Sequence, residues 1–99
     1  MKKKFPKQLS ILGRVVKIKQ GVGLVYQGQP CLGLCNYDEK TIYLEKNQDE
    51  AMKYETLCHE AAHFFLELTG ISQKLSDNEN EMYCQLLTAF FNDIKKEGL

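Results

Sequence analysis

No stretch of this chain approaches the roughly 20 consecutive apolar residues needed to cross a bilayer, so a membrane-spanning helix is not expected. The four cysteines, Cys31, Cys35, Cys58 and Cys84, contain no Cys-x-x-Cys pair, which argues against a thioredoxin-type motif or a zinc knuckle. Cys31 and Cys35 stand four apart, but no second Cys/His pair completes a structural zinc site. All four cysteines read as small apolar residues of a reduced protein. An export signal is missing as well. Met1-Lys2-Lys3-Lys4 supplies a charged start, yet Phe5-Pro6-Lys7-Gln8 stands where an apolar stretch should follow. A cytoplasmic location is expected.

Acid is absent from the first twenty residues, which carry Lys2, Lys3, Lys4, Lys7, Arg14, Lys17 and Lys19; all thirteen acids lie beyond them. Such a segment, with residues 1–10 as a basic arm, reads as a solvated terminus or as a neutraliser of the acidic remainder. An acidic partner for the arm is the alternative. No aromatic–basic pattern or zinc-finger spacing accompanies it, so a nucleic-acid partner is not expected.

What the chain does contain is the composition of one soluble globular domain: 99 residues, 43% apolar and 26% charged. Its front half reads as strands and its back half as helices. Gly13–Lys19 is rich in β-branched residues, Leu24–Tyr26 lies between glycines, Cys31–Cys35 follows Pro30, and Thr41–Leu44 is the clearest strand. Helical periodicity begins at Asp49, a plausible N-cap, and is expected to end at Gly70. A second helix is predicted over residues 77–97, started by Ser76-Asp77-Asn78. The predicted fold is therefore α+β: strands within residues 11–48 forming a small, mainly antiparallel sheet of three to four strands, then two antiparallel helices. Phe64, Phe65, Phe90 and Phe91 are expected to fill the core between helices and sheet.

The first helix, over residues 49–69, contains His59-Glu60-Ala61-Ala62-His63, and these are the chain's two histidines. Residues four apart share a helix face, so both imidazoles can grip one cation. Glu60 lies about 100° around the helix, where it can reach a metal-bound water without becoming a ligand. That division of labour predicts a Zn²⁺ site with His59 and His63 as ligands and Glu60 as general base. Two histidines on an otherwise apolar helix face are the competing reading.

A catalytic zinc takes three protein ligands. No third histidine exists, so the third is expected to be a carboxylate of the second helix, or less readily Cys84. Met82, Tyr83, Leu86, Phe90 and Ile94 are expected to form that helix's buried face. Glu79 precedes Tyr83 by four residues and Leu86 by seven. Glu79 is therefore favoured as third ligand, with Glu81 as the alternative. Capping competes for both, since Ser76/Glu79 and Asn78/Glu81 each have capping-box spacing. Tyr83, with Tyr54 and Tyr43 beside it, is the candidate for stabilising an oxyanion. The strand Thr41–Leu44, if it lies at a sheet edge, is expected to pair with an extended peptide.

These residues resemble the small phage- and prophage-encoded zinc metallopeptidases related to the ImmA/IrrE group. The resemblance runs from about Leu32 to Phe91. It rests on Leu32-Gly33-Leu34-Cys35-Asn36-Tyr37, Lys40-Thr41-Ile42-Tyr43-Leu44, Thr56-Leu57-Cys58-His59-Glu60-Ala61-Ala62-His63 and Glu67-Leu68-Thr69-Gly70. It implies a minimal gluzincin-like fold, zinc-dependent cleavage of a peptide or protein, in some cases a repressor, and a ligand glutamate from the second helix. In the register set by Leu86-Leu87 and Phe90-Phe91 that glutamate falls on Asn80, a departure from the pattern that leaves Glu79 and Glu81 both one residue away. A zinc-stabilised regulatory module without turnover is the alternative function.

Overall fold

A computed structural model describes the backbone of residues 5–96 and the side chains as far as Ile94. Six strands come first: β1 (Gln8–Ile11), β2 (Arg14–Gly21), β3 (Val25–Tyr26), β4 (Gln29–Pro30), β5 (Gly33–Asn36) and β6 (Thr41–Glu45). Helix α1 (Glu50–Leu68), a 3-10 turn (Ile71–Lys74) and helix α2 (Asp77–Lys96) follow. The fold is α+β, and no described helix is long and apolar enough to cross a membrane.

The main sheet has the order β1-β2-β6-β5. Its outer pairs are antiparallel, and the central β2/β6 pair is parallel. A parallel pair needs a crossover; here the crossover is the β3–β4 ribbon followed by β5. The Leu24–Tyr26 segment thus belongs to a separate two-stranded ribbon rather than to the sheet. The Thr41–Leu44 strand is interior, flanked by β2 and β5, and the sheet edge near the helices is β5.

Strand β1 lies where residues 1–10 were expected to be a free basic arm. Gln8–Ile11 pair with Arg14–Lys17, and the Phe5 ring packs on Tyr54 with centroids 4.7 Å apart. The arm is therefore shorter than its charge pattern suggests; Lys2, Lys3 and Lys4 lie outside the described residues. The hairpin turn is Leu12-Gly13, with φ of 52° and 76°. Two left-handed residues make the turn whose twist suits a hairpin, but leucine is a poor advertisement for it.

One face of the sheet carries the core. Val16 and Ile18 alternate along β2, Ile42 and Leu44 along β6, and Leu57 and Phe64 of α1 close over them. Each such side chain contributes roughly 1.5–3 kcal/mol on burial. Helix α1 is held at both ends as its sequence implies. Asp49 Oδ1 accepts from the Met52 N–H at 2.8 Å, and Gly70 at φ 78° ends it while the Gly70 N–H donates to Glu67 O.

Helix α2 packs on α1 through small residues, not through its large apolar ones. Ala62 and Leu66 of α1 meet Cys84, with Leu87 beside them. Thr88 is also buried there, its hydroxyl donating back to Cys84 O at 2.7 Å. Small side chains let the two helices approach closely. Met82, Tyr83, Leu86 and Phe90, expected to be buried, are instead 45–60% exposed. Of the four phenylalanines placed in the core, Phe64 alone is buried; Phe65, Phe90 and Phe91 are exposed.

Candidate metal centre

His59 and His63 sit one turn apart on α1, about three-quarters buried, their ring centroids 4.9 Å apart and their planes at 77°. The Glu81 carboxylate of α2 spans both rings. Its Oε1 lies 2.8 Å from His59 Nε2 and its Oε2 3.2 Å from His63 Nε2. One ligand atom from each of the three residues lies within 4.8 Å of the others, a grouping unmatched among the described residues. Four-coordinate zinc with bonds of about 2.0–2.1 Å places its ligand atoms roughly 3.3 Å apart. The donor set therefore suits the ion, and closing the widest gap from at most 4.8 Å to that spacing takes side-chain shifts of about 1.5 Å or less.

Glu81 arrives there because Cys84, three residues on, is the contact point of α2 with α1. Positions 81, 84 and 88 share a helix face. Glu79, the favoured third ligand in the sequence, is a capping residue instead. The Ser76 N–H donates to Glu79 Oε1 at 3.0 Å, and the Glu79 N–H donates to Ser76 Oγ at 3.1 Å. Those bonds from Ser76 lower the Glu79 pKa below its ordinary value. Glu79 would turn inward and Glu81 outward if the apolar stripe of α2 were its packed face, but that stripe is exposed. Asn80 has its amide nitrogen engaged away from the trio, while its Oδ1 is buried without a hydrogen-bond partner among the described residues. Its amide donates to Ser72 O and Ser76 O at 3.1 and 3.2 Å, tying the turn to the start of α2. Cys84 is wholly buried between the helices, its thiol pushed up to about 12 by burial and then by the charges of Glu81 and Glu60.

Glu60 stands outside this trio, as its position around the helix requires. Its Oε2 accepts a hydrogen bond from Cys35 Sγ of β5 at 2.9 Å, and the same sulfur lies 3.3 Å from Glu60 O. Burial first, and then the Glu60 charge, raises the Cys35 pKa far above the ordinary thiol value, which keeps the sulfur a protonated donor. Burial raises the Tyr37 phenol too. Cys35 thus holds the carboxylate while also packing against the core. The sign of this in the sequence was strand alternation: with Leu32 and Leu34 on one face, Gly33 and Cys35 share the other.

Gly33 allows the strand to lie that close. A Cβ there would stand 2.6 Å from Thr56 Cγ2 and 3.1 Å from Glu60 Cγ. Two openings meet at this point. A cleft of about 500 Å³ includes Gly33, Thr56, His59, Glu60, Gln85 and Asn92 in its walls. A second cavity of about 290 Å³ shares Gly33, His59 and Glu60 and adds Tyr26, Tyr37, His63 and Glu81. The tyrosines beside the trio are therefore Tyr26 and Tyr37. Tyr83 lies about 200° around α2 from Glu81 and lines neither opening. Tyr43 donates to Glu39 Oε1 at 3.0 Å, and Tyr54 packs on Phe5.

No protein-family model matches the chain, and no curated protein or solved structure matches it at a significant level. The functional reading therefore rests on the residues themselves.

Proposed function

We propose that this chain is a zinc-dependent peptidase. The observation that carries the proposal is the convergence of His59, His63 and Glu81 on one point, with Glu60 next to it but outside the trio. Two imidazoles and a carboxylate are the donor set of a hydrolytic zinc site that keeps its fourth position open. Zinc held there supplies Lewis acidity, lowering the pKa of a bound water towards about 7 and polarising the scissile carbonyl.

The chain's own residues do the rest. Cys35 engages Glu60 Oε2, leaving Oε1 to take the proton of the attacking water and pass it to the departing amine nitrogen. The protonated phenol of Tyr37 is available as a donor to the carbonyl oxygen. Strand β5, at the sheet edge and in the wall of both openings, offers backbone groups for an extended substrate to pair with. The peptide-binding edge is thus assigned to Gly33–Asn36 in place of Thr41–Leu44.

Glu60→Gln tests the reading. The variant should keep the metal content of the parent and lose peptide cleavage by at least about 100-fold. A parent that cleaves nothing in a peptide library, with a Glu60→Gln variant indistinguishable from it in the cell, would make the site a structural metal clamp in a regulatory module.

A further inference from the structure

Helix α2 leaves much of its apolar surface without a partner. Met82, Tyr83, Leu86 and Phe90 are 50%, 45%, 60% and 59% exposed. At about 100° per residue they fall within an arc of roughly 100°, centred roughly 150° away from Glu81. Leu87 and Phe91 carry this surface into an apolar groove of about 300 Å³ shared with Leu12 and Phe65. A soluble monomer seldom exposes so large a contiguous apolar surface.

We propose that a second copy of this chain covers it, through an antiparallel two-fold pairing of α2 centred near Leu86. The pattern of the helix favours its own copy. Met82 and Phe90 lie four residues on either side of Leu86, and the midpoint of Asp77–Lys96 falls between Leu86 and Leu87. A two-fold axis there lays Met82 against the partner's Phe90 and returns the same contact on the other side, as an isologous interface requires. Charge agrees. The first turn of α2 carries Asp77 and Glu79, and its last turn holds Lys95 and Lys96 with one acid, Asp93. Antiparallel pairing brings the acidic end of one helix beside the basic end of the other and opposes their macrodipoles. Area agrees as well. Half-exposed side chains of this size offer roughly 100 Å² each, so the stripe and groove together supply roughly 700 Å² per copy, close to the 800 Å² or so of a standard interface.

This pairing does not depend on the peptidase reading. Glu81, Gln85, Thr88 and Asn92, through which α2 borders the two openings, lie at least about 100° around the helix from Leu86, with Ala89 at the margin, so most of the cleft stays accessible in the dimer.

Sedimentation of the whole chain from low micromolar to about 0.5 mM is the test. The parent should sediment as a dimer at the upper end. Leu86→Glu and, separately, Met82→Lys should weaken the dimer by more than about 100-fold with helicity unchanged by circular dichroism. In mild oxidant Leu86→Cys should form a disulfide with its own copy, whereas Gln85→Cys, on the cleft side, should not. A parent that stays monomeric throughout would overturn the proposal. So would a dimer untouched by both charged variants, or cross-linking at position 85 and not at 86.

Discussion

Replacing Gly33 by alanine adds one methyl group at the point where β5 crosses α1. That carbon would stand 2.6 Å from Thr56 Cγ2, against the 3.5–4.0 Å at which two carbons rest comfortably. About 1 Å of separation must be found, and the obstructing methyl is on a short side chain rooted in a packed helix. Overpacking of this kind costs typically 1–3 kcal/mol. Part is offset, because alanine stiffens the unfolded chain by about 0.4–1 kcal/mol. A net loss of roughly 1–2 kcal/mol should lower the melting temperature by about 5–15 °C in a domain of this size. Thr56→Ser removes the obstructing methyl and retains the hydroxyl, which donates to Met52 O at 2.9 Å. In that background Gly33→Ala should cost little, so thermal denaturation of the four proteins should give a coupling of at least about 1 kcal/mol. Activity should fall in Gly33→Ala as well and recover less than stability in the Thr56→Ser background, since Glu60 Cγ is the next atom in the way at 3.1 Å. An unchanged melting temperature in Gly33→Ala, or additive effects in the double variant, would refute the close approach of strand and helix.

Cys35→Ala should lower kcat for peptide cleavage several-fold with KM and metal content unchanged, because the donor to Glu60 Oε2 is lost; Cys35→Ser should recover most of it, and an alanine variant as active as the parent would remove the role given to the thiol. Acid stability should depend on Glu79. Its pKa is depressed in the folded chain by the hydrogen bonds from Ser76, so its stabilising effect is complete above the ordinary value of 4.5 and fades as pH falls through the lower folded value. Melting curves between about pH 3 and 6 should therefore show a shallower acid loss in Glu79→Gln, and parallel curves would contradict the capping role. Cys84, wholly buried, should resist thiol reagents in the native protein and react only on unfolding; labelling as fast as an exposed cysteine would disprove its position between the helices.

How much of this was legible in the sequence differs from element to element. Asp49 and Gly70 mark the ends of α1 in the residues alone, because a side-chain cap and a left-handed terminus each have a restricted chemistry. The His59/His63 pair was equally plain, since helical spacing fixes which side chains are neighbours. Strand β1 was hidden: its turn uses Leu12 where asparagine or aspartate would signal a hairpin, and the lysines around it read as a solvated tail. The place of Glu81 beside the two histidines was hidden for a physical reason. Apolar periodicity shows where a helix is greasy, and on α2 the greasy arc and the packed arc differ. Cys84 and Thr88, small and weakly hydrophobic, make the contact, and once that contact is known Glu81 follows three residues before Cys84. Cys35 and Gly33 bear on the site only through β5 lying against α1, a tertiary fact that local pattern cannot state.

Metal content of purified variants tests the central claim most directly. The parent should carry stoichiometric zinc by elemental analysis. Glu81→Ala and His63→Ala should each lose it, and Glu79→Ala should retain it. Zinc held in full by Glu81→Ala, or absent from a well-folded parent supplied with the ion, would contradict a site built from His59, His63 and Glu81.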